Sequence, residues 1–104
     1  MCEFTVLKKI GKDTEKIGED VIFFQYSENG QCRLADIFGR AKIEAKNAFV
    51  YEINMLDSRH DITIIESELV PYFVRFMQDL QTEEGESKIH SAEQLITEIR
   101  KHLP

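Results

Sequence analysis

Cys2 is the strongest candidate for a reactive or metal-binding residue, because it follows the first methionine directly. A thiolate beside a free amine can chelate a metal ion or be oxidised, whereas a buried cysteine usually behaves as a small hydrophobic residue. With Met1 removed, the amine and thiolate of Cys2 would close a five-membered chelate. With Met1 retained, its amine, the Cys2 amide nitrogen and the thiolate could bind in sequence. Two such termini from two chains would supply a square-planar set of nitrogen and sulfur donors, which suits nickel(II) or copper(II) better than zinc.

The remaining candidate groups do not form a catalytic pattern. Cys32 alternates with Leu34 on a predicted internal strand, so a core position is the simpler interpretation of this thiol. The histidines are predicted to lie in a turn, before a helix and at a helix end; they are His60, His90 and His102. The sequence contains no glycine-rich phosphate loop and no HExxH motif. We therefore expect a protein that is not an enzyme.

Composition restricts the class of protein further. The 104 residues have 42% hydrophobic side chains and a net charge of -6, and acidic residues outnumber basic ones in 1–67 and in 68–104 alike. Nucleic-acid binding depends on basic residues that neutralise phosphates, so an RNA partner is disfavoured. Two cysteines are too few for a disulfide framework, and no apolar run resembles a signal peptide or a membrane span. These features predict a cytoplasmic protein with free thiols and no membrane partner.

Residues 1–67 read as short strands separated by turns. Phe4, Val6 and Ile10 share one parity of the first strand, and Cys2 shares that parity, which would turn its thiol toward the core. Asn29-Gly30 lies between two β-rich runs and is a strong hairpin signal. Five or six strands with frequent turns predict a small antiparallel barrel or sandwich.

The period of the apolar residues changes after Ser67, which is a plausible N-cap. We predict helices over about 68–80 and 91–103, joined by a charged linker at 81–90. In the second helix, Ser91 and Gln94 would form a capping box. The predicted organisation is a barrel over 1–67 followed by a helical extension over 68–104, mainly β overall.

One segment suggests an RNA-binding alternative. KNAFVYEI resembles the aromatic strand with which some small domains stack RNA bases, although the glycine and the final aromatic of that pattern are missing. In this alternative, Phe49 and Tyr51 would stack bases while Lys8 and Lys9 contact phosphates. Burial of both aromatic residues in the core is the simpler interpretation.

Several segments together resemble one known family. The opening MCEFTVL, then EDVIFF, ENGQCRLADIFG and YEINMLDSRHDITIIES, are similar in order and spacing to the CooT family of small proteins, also catalogued as predicted RNA-binding proteins. The resemblance covers roughly residues 1–67, and its most specific element is Met-Cys-Glu followed by an alternating strand.

The resemblance implies a homodimeric SH3-like β-barrel that binds one nickel(II) ion between the Cys2 residues of two chains, with Met1 as the neighbouring ligand. It also implies a metallochaperone-like role, because the founding member is linked to nickel delivery to carbon monoxide dehydrogenase. A nickel enzyme would then be the client. Residues 68–104 have no counterpart in the short family pattern, so the client of this chain stays open.

Overall fold

The computed structural model describes residues 3–40, 47–82 and 84–103, and within them six strands precede two helices. In chain order these are β1 (Phe4–Ile10), β2 (Asp13–Val21), β3 (Phe23–Tyr26), β4 (Cys32–Ala35), β5 (Ala48–Asn54), β6 (Asp61–Glu66), α1 (Val70–Asp79) and α2 (Gly85–His102). A predominantly β part followed by two C-terminal helices is confirmed. Neither described helix is long and apolar enough to cross a membrane.

The strands form a four-stranded sheet in the order β2-β1-β6-β5 and a separate β3–β4 hairpin. β1 pairs antiparallel with β2 but parallel with β6, with Thr5 opposite Asp61 and Lys8 opposite Ile64. The expected all-antiparallel arrangement is therefore wrong, because β6 leaves the β5–β6 hairpin running in the same direction as β1. The described strands form two sheets, and no closed barrel is found among them, so the expected SH3-like barrel is not confirmed.

The hydrophobic core lies where the hairpin meets the large sheet. Its buried members come from five strands; they are Val6, Val21, Leu34, Ala48, Ile62 and Ile64. Val6 confirms the inward parity predicted for β1, whereas Ile10 at the end of the same strand is exposed. Each buried branched side chain contributes about 1.5–3 kcal/mol relative to an exposed position.

The β3–β4 turn confirms the hairpin predicted from Asn29-Gly30. Gly30 has a φ of 80°, which favours glycine, and its N–H donates to the Ser27 carbonyl at 2.9 Å. The Ser27 N–H donates in turn to the Gln31 carbonyl at 2.8 Å. Asn29 does not adopt a positive φ, so the turn places only its glycine in the left-handed region.

Helix α1 packs directly on this turn. A Cβ atom at Gly30 would lie only 2.4 Å from the carbonyl oxygen of Pro71, so the absence of a side chain permits the close approach. Arg75 Nε and Gln78 Nε2 each donate to a carbonyl oxygen of the turn at 3.0 Å. The first helix of the extension is thereby fastened to the β3–β4 hairpin.

Both helices begin differently from the prediction. The N-cap of α1 is Leu69, and Ser67 lies just before it, where its Oγ accepts the Leu69 N–H at 3.2 Å. α2 begins at Gly85, six residues before Ser91, so the charged connection is shorter than expected. The capping-box interpretation is wrong because Ser91 is buried within α2 and its hydroxyl donates to Asp79 Oδ2 of α1.

Candidate metal centre at the N-terminal end

Cys2 and Met1, the predicted metal ligands, lie outside the described residues. The described chain starts at Glu3, which is exposed, and Phe4, which opens β1 opposite Val21 of β2. Glu3 directly follows Cys2 in the chain, so Glu3 and Phe4 are the described residues nearest to Cys2 in sequence.

His60 lies at this end, next to the start of β1. Its ring packs edge-on against Phe4, with the ring centroids 6.1 Å apart and an interplanar angle of 61°. The Thr5 N–H donates to the His60 carbonyl at 2.8 Å. The sequence predicted only that His60 lies in a turn. Its contact with Phe4 could not be predicted from nearby residues, because the parallel pairing of β1 with β6 joins segments more than fifty residues apart.

A small pocket adjoins Glu3. It has a volume of about 210 Å³ and is lined mainly by acidic groups and by the turn after β4: Glu3, Asp20, Asp36, Ile37, Phe38 and Arg40. Asp20 adopts a φ of 63°, which aspartate tolerates better than most residues. Negative charge near the N-terminus favours a cation there over an anion.

Asp36 organises the turn that borders this pocket. Its carboxylate is almost fully buried and accepts the N–H groups of Phe38 at 2.9 Å and Arg40 at 3.0 Å, while Arg40 Nε donates at 2.9 Å. Burial alone would raise the pKa of Asp36, but the backbone donors and then the Arg40 guanidinium lower it. The ionised carboxylate therefore fixes a turn on which Phe38 is 77% exposed.

Cys32 has the properties of a structural thiol. It is half-buried against the core, opposite Tyr26 in the hairpin, and burial raises the pKa of its thiol to about 11. Only the thiolate binds metals or attacks electrophiles, so Cys32 is a poor ligand near neutral pH. The core position predicted for this residue is confirmed.

The other histidines are not brought to the N-terminal end. His90 is exposed on α2, and His102 at the end of α2 contacts Glu68 through Nε2 at 2.9 Å and the Glu98 carbonyl through Nδ1 at 2.8 Å. The hydrogen bond with Glu68, followed by that with Glu98, raises the pKa of His102. Among residues 3–40, 47–82 and 84–103, no group of three or more His, Cys, Asp or Glu side chains is placed to hold a metal ion.

The residues of the RNA-binding alternative lie on β1 and β5. Phe49 and Tyr51 are both exposed, so the expected burial of these aromatics in the core is wrong. β5 is an edge strand with an irregularity around Tyr51, and Phe49 packs edge-on against Phe73 of α1 at a centroid distance of 6.1 Å. Lys9 Nζ lies 4.6 Å from the Tyr51 ring centroid, whereas Lys8 pairs with Glu66 at 3.0 Å.

A family model described as CO dehydrogenase accessory protein CooT matches residues 1–65. The match includes Met1, Cys2 and all six strands except the last residue of β6, and it ends before α1. No curated protein and no solved structure matches the chain.

Proposed function

The chain belongs to the CooT family, and on that basis we propose that it holds one Ni(II) ion between the Cys2 residues of two chains and assists the maturation of a nickel enzyme. The family's description as a CO dehydrogenase accessory protein supports this proposal, in which nickel is the cargo and the recipient enzyme is the client. The observation that carries the proposal is the family match, which begins at residue 1 and thus includes Met1 and Cys2.

The properties of the described residues support Cys2 rather than Cys32 as the thiol ligand. Burial raises the pKa of Cys32 to about 11, so this thiol stays protonated at neutral pH. A terminal cysteine combines a thiolate with backbone nitrogen donors, and two such sets give the four-coordinate nitrogen and sulfur environment that nickel(II) accepts. With Met1 removed, each chain supplies one amine and one thiolate, which is half of this set, so in this proposal the ligands come from a homodimer.

The proposal is tested by titrating the purified chain with nickel(II) under reducing conditions. We expect a sulfur-to-metal charge-transfer absorbance that saturates at one ion per two chains. Cys2→Ser and Cys2→Ala should abolish it, whereas Cys32→Ala is the matched control and should keep the stoichiometry. His60→Ala is a second control, since His60 packs against Phe4 and is not one of the proposed donors.

The outcome of the titration separates the alternatives clearly. Nickel binding with unchanged stoichiometry and affinity in Cys2→Ala would refute the assignment of the site. Intact-mass measurement of the chain determines whether Met1 is present, and hence whether the nitrogen donors are the Cys2 amine or the Met1 amine with the Cys2 amide. Transfer of bound nickel to an apo CO dehydrogenase tests the accessory role separately.

Exposure of Tyr51 beside Lys9 favours RNA binding as a second candidate function. A base could stack on Tyr51 while the ammonium group lies near the phosphates. Filter binding of single-stranded RNA should then weaken strongly with salt and with Tyr51→Ala. RNA affinity equal in wild type and Tyr51→Ala would exclude this version, and a nickel titration lost in Cys2→Ala favours the metal function regardless.

A further inference from the structure

Helix α2 carries an exposed apolar ridge. Ile89 and Ile96 are 61% and 48% exposed, and Leu103, which directly follows the helix, is 63% exposed. These three residues are spaced by seven, so on an α-helix they lie almost in line, with Ile89 and Leu103 about 21 Å apart at 1.5 Å per residue. Isolated exposed apolar residues are ordinary, but a row of them along one side of a helix is typical of a surface that binds another molecule.

The ridge residues fit one of the two core positions of a heptad repeat. If Ile89 and Ile96 occupy the first core position, Ala92 and Ile99 occupy the second. Ala92 and Ile99 are partly buried. Alternation of three and four residues between apolar positions is the spacing that packs one helix against another of its kind. The seam formed by these core positions, from Ile89 to Leu103, covers little more than two heptads. It is too short to hold two helices together without further contacts.

An apolar cleft beside the ridge supplies such contacts. Leu95 and Ile99 of α2 form one wall of a cleft of about 500 Å³, which also includes Phe49 and Phe73. Apart from Ser67, its lining side chains are all hydrophobic. The ridge and the cleft lie side by side on α2, so two copies related by a two-fold axis could each place a ridge next to the other's cleft.

The ridge and the cleft together offer apolar surface that a second copy of the chain can cover.

Charges beside the seam are complementary between copies. Lys88, Glu93 and Arg100 flank the heptad core positions, and none of these side chains forms an ion pair with any other described residue. In a parallel pair of helices, Glu93 faces Lys88 of the second copy; in an antiparallel pair centred between Ile96 and Ile99, it faces Arg100. Glu93 meets a cation in either orientation.

We propose that α2 is a self-association helix that pairs with α2 of a second copy through the ridge of Ile89, Ile96 and Leu103. The interface lies outside the part of the chain that the family model matches, since that match ends at residue 65. It does not depend on nickel, and it stands whether or not Cys2 binds a metal.

Sedimentation of metal-free Cys2→Ala protein, over about 1 to 100 μM, tests the association without the nickel site. The protein should change from one chain to two across this range. Ile96→Glu should weaken association at least ~100-fold, because two carboxylates would be buried in an apolar seam. His90→Glu adds the same charge to the exposed side of α2 and should behave as Cys2→Ala alone, with circular dichroism verifying that both variants are folded.

Charge reversal supplies an independent test. Glu93→Lys should weaken association by about 3–10-fold, and adding either Lys88→Glu or Arg100→Glu should restore it, depending on the helix orientation. A metal-free protein that stays monomeric at every concentration overturns the proposal, as does an Ile96→Glu variant that associates like its parent. Restoration by neither double variant would also contradict the seam. Loss of nickel binding in Cys2→Ala with retained association would leave this proposal intact.

Discussion

Replacing Gly30 by alanine should detach α1 from the β3–β4 hairpin. The backbone at Gly30 has a φ of 80°, where an L-residue with a Cβ costs about 1–2 kcal/mol. The new Cβ would lie 2.4 Å from the carbonyl oxygen, 2.7 Å from the Cα and 2.9 Å from the carbonyl carbon of Pro71. These are backbone atoms, so no side-chain rotation can relieve the clash.

The magnitude follows from the two costs. Overpacking a close contact typically costs a further ~1–3 kcal/mol, so the free energy of unfolding should fall by about 2–5 kcal/mol in Gly30→Ala. Gly39→Ala is the matched control, because Gly39 also has a positive φ of 75° but its Cβ would meet nothing within 4 Å. The control should lose only the backbone cost of about 1–2 kcal/mol.

Urea unfolding followed by circular dichroism, at equal protein concentration, measures both variants. Hydrogen exchange should also show faster exchange of α1 amides in Gly30→Ala alone, because the helix must move away from the turn to which Arg75 and Gln78 donate. If the two variants lose the same stability within about 0.5 kcal/mol and α1 stays protected in both, the close packing of α1 on the turn is refuted.

Three further outcomes follow from single side chains. Burial raises the pKa of the Cys32 thiol to about 11, so native Cys32 should react with iodoacetamide at least ~30-fold more slowly than Cys2 at pH 7.5. Peptide mass spectrometry measures both reaction rates, and equal rates would contradict the burial of Cys32. Tyr26→Phe should lower the free energy of unfolding by about 1–2 kcal/mol, because it removes the 2.6 Å hydrogen bond to a carbonyl of β5; an unchanged urea midpoint argues against that bond. The raised pKa of His102 means that its pairing with Glu68 stabilises the fold below the ordinary histidine pKa of about 6.5, and that this contribution disappears as pH rises through the higher folded value. The stability difference between wild type and His102→Gln should shrink accordingly in urea titrations; a pH-independent difference would contradict the pairing.

Local signals predicted much of the fold. The Asn29-Gly30 hairpin formed because few residues other than glycine accept the left-handed backbone that this turn needs. The change from strand to helix after Ser67 was visible because the period of the apolar residues changes from two to about 3.6. Such patterns depend only on neighbouring residues, so a single sequence contains them in full.

Pairings between distant segments were not predictable in the same way. The parallel contact of β1 with β6 brings His60 beside Phe4, and no local feature encodes which strand lies beside which. Ser91 illustrates the converse error, since a serine three residues before a glutamine has the pattern of a helix start. Its hydroxyl instead finds Asp79 on another helix, and the helix continues through it.

The burial of Phe49 and Tyr51 was mispredicted for a related reason. Alternating aromatics indicate a strand with one apolar face, but they do not tell which side of the sheet the hairpin and helices cover. β5 is the edge of its sheet, where Ala48 is buried while Phe49 turns toward Phe73 of α1. Phe73, which lies in the extension beyond residue 65, therefore forms part of the surroundings of Phe49 within the family-matched part of the chain.

The geometry of β6 separates the two proposed interfaces. Asp61 at its start lies opposite Thr5, near the N-terminus, whereas Glu66 at its end leads into the helices. Six residues of strand span about 20 Å, so Thr5 and the start of α1 lie near opposite ends of β6. Substitutions at Ile96 and at Cys2 should then act additively on nickel binding and on association. A nickel-loaded particle of four chains would agree with this additivity, whereas a particle of two chains would mean that one two-fold axis serves both interfaces and that the two substitutions are coupled.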